Sequence, residues 1–347
     1  MHYAFENSGF RNLGGAELQS YMLAKELDKR GFDICLILKE NVSPSGNIKR
    51  LVISKKKVIR ILSVFRAMNR INSDLYYQRT GGFITGIVAL FCMLKGKKFV
   101  VHISNINQCC KDSPKDKNFA IKAFYRWALK RAARIIVQTQ NQKAALKANF
   151  GRESVIIRNM MQTSSQSHSK ENMVLWVGTV NKRKRPEIFL KLAQAMPECK
   201  FVMIGGSGDE SNKEFYRKMQ SEAGEISNLE FLGFRPLDET ERYFQRCKVF
   251  VNTSSMDEGF PNTYLQAWAN HAPVVALEFD PDETIRKNSI GMRSGNASKL
   301  AADVRLLMEN EKVRKEMGLK ARSYVEKNHK VNKITEEFIE LFEGIAD

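Results

Sequence analysis

Two polar side chains and a helix start in the second half of the chain are spaced in a way that suits a phosphorylated ligand. Glu258 lies in a loop, and a helical pattern begins near Asn262. An asparagine at a helix start predicts an N-terminal cap, and helix N-termini attract phosphate. Gln266 comes four residues later and therefore projects from the same face of that helix. We expect one site to hold all three residues.

A second candidate site is a strongly basic loop. Residues 182–185 read Lys-Arg-Lys-Arg, follow the strand-like residues 174–177 and precede Pro186, a favoured first residue of a helix. Four cations at the carboxyl end of a strand suit a diphosphate. A charge run of this kind is more often a solvated loop, and the residues alone leave both interpretations open.

Glycines mark two further turns between a strand and a helix. Gly14 and Gly15 follow the first strand, where they predict either a close approach of backbone N–H groups to an anion or a plain tight turn. Gly206 and Gly208 resemble part of a dinucleotide fingerprint, but Ser211 replaces its third glycine. The incomplete pattern, far from the first strand, argues against an NAD-dependent dehydrogenase.

Around these residues, short apolar runs alternate with helical patterns along the whole sequence. Such alternation predicts parallel sheets of βαβ units. We expect strands at 2–5, 34–38, 99–103 and 135–137 in the first half. Five more are expected at 174–177, 201–204, 229–232, 249–251 and 274–277 in the second. His102 ends one of these strands, where a lone histidine is more often structural than functional.

The stretch EGFPNTYLQAWANHAPVVAL, residues 258–277, resembles the donor-site signature of retaining nucleotide-sugar glycosyltransferases of family 4. The resemblance implies a GT-B fold, in which two Rossmann-like, doubly wound parallel-sheet domains face each other across a cleft. It also implies that Glu258 lies against the donor sugar. The family has a second glutamate at the position of Gln266, which hydrogen-bonds the ribose, so this chain departs from the pattern there.

The resemblance extends to the basic loop. Lys184 matches a family lysine that neutralises the leaving diphosphate, and Thr179 stands where the family usually has an arginine. Arg183 or Arg185 would then have to supply the missing charge.

The remaining roles come from the same resemblance. Gly14 and Gly15 would border the diphosphate, and His102 would hydrogen-bond the donor sugar. Gly206 and the backbone of Phe234 would contact the nucleotide. The donor site would be completed by the residues around the helix start, which are Phe260, Pro261, Asn262 and Thr263.

The chain has 347 residues, enough for two domains. We expect an acceptor-binding domain at 1–160, a Ser- and Gln-rich linker at 161–172 and a nucleotide-sugar-binding domain at 173–330. The resemblance implies that a last helix, at 331–347, packs back on the first domain.

The net charge of +18 is concentrated in the first half. Residues 1–170 carry 30 basic and 10 acidic side chains. Such a field attracts anions, and we favour an anionic membrane surface and a lipid-linked acceptor over nucleic acid, since the interleaved aromatics follow no recognition motif. Residues 83–94 are apolar but shorter than the about 20 residues needed to span a bilayer. They predict a buried helix or a shallow membrane-facing one.

Nothing in the cysteine spacing predicts a metal site, and the six cysteines are expected to be reduced thiols. Asp280 and Asp282 have the spacing of a metal-binding pair, but acidic residues at an apparent helix start are better explained by capping, with Asp282 beside that start. The N-terminus shows no secretory signal. We expect a cytoplasmic protein, peripheral on the inner face of the plasma membrane.

The function implied by the resemblance is retaining transfer of a sugar from a UDP- or GDP-linked donor to a glycan or polyprenyl-diphosphate-linked acceptor. The pathway would be surface polysaccharide biosynthesis (capsule, exopolysaccharide or O-antigen). The resemblance implies that the enzyme requires no cofactor. One alternative is a non-catalytic nucleotide-sugar-binding scaffold, suggested by Gln266 and Thr179. Another is a basic nucleic-acid-binding protein.

Overall fold

The computed structural model describes residues 2–7, 14–38, 48–54, 57–79, 81–114, 118–163, 169–255 and 258–346. It divides into two compact units, of which unit 1 comprises Met1–Met160 with Val331–Asp347 and unit 2 comprises Met161–Lys330. The predicted α/β class with two Rossmann-like parallel sheets is confirmed.

Unit 1 contains a parallel sheet of seven strands in the order β3-β2-β1-β4-β5-β6-β7. Its elements in chain order are β1 His2–Asn7, α1 Gly15–Lys29, β2 Asp33–Leu38, β3 Lys49–Val52, α2 Lys57–Ile71, β4 Leu75–Arg79, α3 Phe83–Lys95, β5 Lys98–His102, α4 Phe119–Arg131, β6 Arg134–Val137, α5 Gln140–Phe150 and β7 Val155–Ile156.

Unit 2 contains a parallel sheet of six strands in the order β10-β9-β8-β11-β12-β13. Its elements are β8 Met173–Val177, α6 Pro186–Gln194, β9 Lys200–Ile204, α7 Lys213–Gly224, β10 Leu229–Gly233, α8 Leu237–Arg246, β11 Val249–Asn252, α9 Asn262–Ala269, β12 Val274–Ala276, α10 Thr284–Asn288, β13 Gly291–Arg293, α11 Ala297–Glu309 and α12 Glu311–Asn328. The last helix, α13 Val331–Ala346, belongs to unit 1.

Each sheet of the described chain is covered by apolar side chains on both faces, which explains the continuous apolar strands. In unit 1, alternate strand residues point into two separate cores. Helices α2, α3 and α4 pack against one face, and α1 and α13 pack against the other. Tyr77 of β4, for example, packs edge-on against Phe338 and Phe342 of α13.

Four strands escaped prediction because their residues hide the strand pattern. β3 is polar and largely exposed, while β4 ends in Gln78 and Arg79 although all five of its residues are buried. β7 and β13 have two and three residues. The second sheet therefore has six strands where five were predicted.

The predicted linker is attached to unit 2 wherever it is described. The Met161 amide donates to the carbonyl of His329 over 2.8 Å, and the Lys170 ammonium donates to the carbonyl of Asn270 over 2.6 Å. Residues 164–168 lie outside the described part of the chain. The segment on either side of them is thus part of the fold of unit 2.

Candidate functional site

The candidate site of unit 2 lies where the strand order of its sheet reverses. β8 is central, with β9 and β10 following on one side and β11 to β13 on the other. Ligands of doubly wound sheets bind beyond the carboxyl ends of the strands at such a reversal. The loops after β8 and β11 carry Lys184 and Glu258, so topology brings these two predicted residues to one place.

Lys184 and Glu258 form an ion pair. The Lys184 Nζ lies 2.5 Å from Oε1 of Glu258, and their side chains are 15% and 8% exposed. The two groups touch, but this buried carboxylate oxygen has no hydrogen bond of good direction among the described residues. The pair therefore holds a cation and an anion side by side with hydrogen-bonding capacity left for a ligand.

Thr253 fixes the backbone beneath this pair. Its hydroxyl donates to the carbonyl of Lys184 over 2.6 Å and accepts from the Trp176 indole over 3.0 Å. The Lys184 amide is held in turn by Asn181, whose side-chain oxygen lies 3.1 Å away. Thr253 is fully buried, so its two bonds tie the loop after β8 to the end of β11.

Replacing Thr253 with valine is expected to lower the free energy of unfolding by about 2 kcal/mol, because the change leaves the buried N–H of Trp176 and the partly buried carbonyl of Lys184 without this partner. Urea denaturation measures the loss. Thr253→Ser keeps the hydroxyl and is the matched control, which should retain most of the stability. A valine variant as stable as the serine variant would show that these two bonds do not hold the loop.

Arg185 is committed to structure rather than left for a ligand. It occupies the N-cap position of α6 in a left-handed conformation with a φ of 46°. Its guanidinium donates to the carbonyls of Thr253 and Ser254 and lies 3.0 Å from a carboxylate oxygen of Glu278. Lys182 and Arg183 are exposed. The basic run is therefore split, and among its four members Lys184 is the one that meets Glu258.

The start of α9 differs from the prediction in its cap. Asn262 is the first residue inside the helix, and Pro261 occupies the N-cap position without a side-chain hydrogen bond. The predicted capping role of Asn262 is therefore wrong, because the helix begins at Asn262 itself, one residue earlier than a cap there requires. Thr263 follows in the first turn, and Phe260 is buried with its ring against Trp268 and His329.

Gln266 lies in a buried polar cluster that sequence reasoning missed. Its side chain lies near enough to the carboxylate of Glu241 on α8 to favour the charged form of that group, and the carboxylate accepts from the Asn270 amide over 2.6 Å. Burial raises the pKa of Glu241, and the bonds from Asn270 and Gln266 and the charge of Lys170 offset part of that rise. A glutamate at 266 would place a second carboxylate against Glu241. The cluster thus gives a physical reason for the glutamine.

Replacing Gln266 with glutamate is expected to make stability depend on pH. Because the folded-state pKa of Glu241 is already raised from 4.5, the folded state holds the proton more tightly than the unfolded chain. Stability then falls as pH rises from that value through the raised pKa. A second carboxylate enlarges the fall, and we expect about 1–3 kcal/mol of destabilisation near pH 8 but less near pH 5.

Urea midpoints at the two pH values measure this effect. The matched control is the double variant Gln266→Glu/Glu241→Gln, which restores one carboxylate and one amide and should restore the pH profile. If the single and double variants respond to pH alike, Glu241 is not the partner of residue 266.

Glycines allow the turns after β8, β9 and β10 to pack closely against one another. A Cβ added to Gly205 would lie 1.8 Å from the carbonyl oxygen of Gly178, so no larger residue fits. Gly206 accepts from the Val180 amide, and a Cβ on it would lie 3.4 Å from that of Phe234, which is 46% exposed. Thr179 is exposed, and a Cβ on Gly208 would lie 2.7 Å from its methyl group. Their contacts with a nucleotide stay a prediction.

His102 is fully buried in unit 1. Its Nδ1 lies 2.7 Å from the Tyr77 hydroxyl and 3.4 Å from the Arg79 guanidinium. Burial, with the charge of Arg79, lowers the pKa of His102 well below its usual value, so the ring is neutral. Its Nε2 has no hydrogen-bond partner within the described ranges. A contact with the donor sugar stays a prediction.

Arg79 was missed by sequence reasoning because β4 was not recognised. It ends β4, which adjoins β1 at the point where the strand order of unit 1 reverses. Its guanidinium is buried and donates to the Asn159 side chain over 2.5 Å. Gly14 and Gly15 are exposed at the start of α1, and the preceding residues 8–13 are outside the described part of the chain.

The acidic pair at 280 and 282 is explained by capping. Both carboxylate oxygens of Asp280 accept backbone N–H groups, from Ile285 and Arg286 at the start of α10. The capping residue is thus Asp280, whereas Asp282 was the one expected at the helix start. Among the described residues, no three His, Cys, Asp or Glu side chains cluster as metal ligands.

Comparison with known proteins gives a family match and a distant relative. Residues 158–324 match the family model described as glycosyl transferases group 1. An uncharacterized glycosyltransferase of Methanocaldococcus jannaschii is 20% identical over 317 residues, which cover 83% of this chain and 80% of that protein.

Solved structures extend the likeness to nearly the whole chain. Anabaena HepE in complex with UDP-glucose has a TM-score of 0.81 at 17% identity, covering 99% of this chain and 100% of that one. WaaG, described as a glycosyltransferase involved in lipopolysaccharide biosynthesis, has a TM-score of 0.71 at 14% identity, covering 96% and 98%. At such identities the likeness establishes the fold, which is GT-B.

Proposed function

We propose that this chain, whose residues 158–324 match the family model of the group 1 glycosyl transferases, transfers a sugar from a nucleoside diphosphate sugar with retention of anomeric configuration. The observation that carries the proposal is the Lys184–Glu258 ion pair at the strand-order reversal of unit 2. It offers a cation for a diphosphate and, next to it, a carboxylate for sugar hydroxyls. HepE, which shares the fold, is described in complex with UDP-glucose, which supports a UDP-linked donor; a GDP-linked donor is the alternative.

The chemistry assigned to the pair is charge stabilisation and positioning. As the bond between the anomeric carbon and the phosphate oxygen breaks, negative charge grows on the diphosphate, and the Lys184 ammonium neutralises it. The acceptor hydroxyl oxygen bonds to the same face of the anomeric carbon, and its proton passes to the leaving phosphate oxygen. The carboxylate of Glu258 orients the sugar by accepting hydrogen bonds from the sugar hydroxyls. In this proposal the step uses no carboxylate nucleophile and requires no cofactor.

The proposed acceptor is a glycan or a polyprenyl-diphosphate-linked glycan in surface polysaccharide synthesis, handled at the inner face of the plasma membrane. The excess of basic residues in the first 170 positions supports an anionic partner of this kind. WaaG, which shares the fold, is described as acting in lipopolysaccharide biosynthesis. Across the described residues, no helix has the length and apolar character required to cross a membrane.

Release of UDP or GDP from a panel of nucleotide sugars tests the proposal, with Glu258→Ala as the comparison. We expect one donor to be turned over by the wild type, and the variant to release far less nucleotide. Binding without release of nucleotide from any donor would instead favour a non-catalytic nucleotide-sugar-binding scaffold. Gln266 and Thr179 differ from the family pattern at two donor-site positions, and these differences are the reason for considering that alternative.

A further inference from the structure

One layer of unit 1 carries positive charge without any negative charge. Helices α2, α3 and α4 pack side by side on one face of the sheet, with Phe65 against Phe91 and Phe83 against Phe124 at the two junctions. Their sequences contain no aspartate or glutamate. Their basic residues with described side chains are Arg60, Arg66, Arg70, Lys95, Lys122, Arg126, Lys130 and Arg131. Lys122 lies 3.7 Å from the carboxylate of Asp112, which belongs to the loop before α4.

The helices on the opposite face of the same sheet contain acidic residues. Helices α1 and α13, which cover the other face of the sheet, carry seven acidic residues, namely Glu17, Glu26, Asp28, Glu336, Glu337, Glu340 and Glu343. The positive charge of the first half is therefore segregated by face, and is not an average property of the unit.

Exposed apolar side chains are concentrated on the same basic layer. Twelve large hydrophobic residues of the described chain are exposed, and six of them lie on α2, α3 and α4. Phe119, at the start of α4, is 84% exposed and Leu62 of α2 is 58% exposed. The other four are Ile59, Phe83, Met93 and Leu94. Six exposed apolar side chains on three neighbouring helices are more than the single scattered residues normal for a protein surface, and such a grouping indicates an interaction site.

We propose that the layer formed by α2, α3 and α4 is the face on which this protein docks to an anionic membrane. Basic side chains attract the surface charge of acidic lipids, and apolar side chains enter the boundary between head groups and acyl chains. The exposed apolar residues are mostly aliphatic, which suits a hydrocarbon boundary better than the stacking surface that a nucleic acid requires. This inference rests on the proposed membrane location and is independent of the donor chemistry.

Co-sedimentation of the full chain with vesicles tests this face. The vesicles contain phosphatidylcholine alone or phosphatidylcholine mixed with phosphatidylglycerol. Two double variants alter the layer at exposed positions, Arg66→Glu/Lys130→Glu for charge and Leu62→Ser/Phe119→Ser for apolar contact. The matched controls are Lys25→Glu/Lys333→Glu on α1 and α13, with the same change in net charge, and Leu319→Ser on α12, which removes an equally exposed leucine.

The wild type should bind the anionic vesicles selectively and release them as salt is raised. Each layer variant should weaken binding roughly tenfold or more, with the controls close to wild type. Equal losses in the layer and control variants would overturn the assignment of the face. So would a failure to bind anionic vesicles, or binding to a DNA duplex in their place. Donor turnover, measured without vesicles, fails or succeeds separately and reports on the proposed chemistry alone.

Discussion

Replacing Lys184 with alanine is expected to lower kcat for the preferred donor by about 10²–10³-fold, the loss typical when one group aimed at a developing negative charge is removed. The Lys184 side chain is 15% exposed and its ammonium lies beside a buried carboxylate, so little water is available to replace it. The variant also leaves Glu258 without its counter-charge. Steady-state release of the nucleoside diphosphate measures the effect.

The neighbouring Lys182 supplies a control for general charge. It lies in the same loop but is exposed, and Lys182→Ala makes the same change in net charge without touching Glu258. We expect that variant to stay within a few-fold of the wild-type rate, since an exposed charge is screened by water and salt. Equal losses from both variants would mean that the loop acts through its summed charge and that the ion pair has no special role.

The second large effect is expected for Glu258→Gln, which keeps the shape of the side chain but removes its charge. We predict a fall of about 10²-fold in kcat/KM, because the sugar loses a charged hydrogen-bond acceptor and Lys184 loses the group that holds it. Turnover of the preferred donor measures the fall. A variant with wild-type kcat/KM would contradict the assigned role of Glu258.

The double variant Lys184→Ala/Glu258→Gln tests whether the two residues act as a unit. Residues that act together lose activity less than additively. We expect the double variant to be nearly as active as the worse single one. Fully additive losses would mean that the two side chains serve separate steps.

The strands that lead to the candidate site of unit 2 could be predicted from the sequence. Its central strands are continuous apolar runs, and the residues that follow two of them, Lys184 and Glu258, lie in one site. The local geometry was less predictable. Whether Asn262 caps α9 or begins it depends on a single residue of register, which propensity does not decide.

The partners of the predicted residues were the least accessible to prediction. Glu241 meets Gln266 only because α8 and α9 pack together, and Thr253 meets Lys184 only because β8 and β11 are neighbours. Arg79 could not be predicted because β4 ends in two polar residues, whereas a buried strand is recognised by a continuous apolar run. In each case the sequence specifies the residue, while tertiary packing specifies its partner.

Calorimetric titration of nucleotide sugars into the wild type and Lys184→Ala, without acceptor, decides whether Lys184 holds the diphosphate of a donor. We expect that one UDP- or GDP-linked sugar binds the wild type and that the variant binds the same ligand at least about tenfold more weakly, because the diphosphate has lost a largely buried cation. Equal affinity of the two proteins for every donor, or no binding of any nucleotide sugar to the wild type, would contradict this expectation.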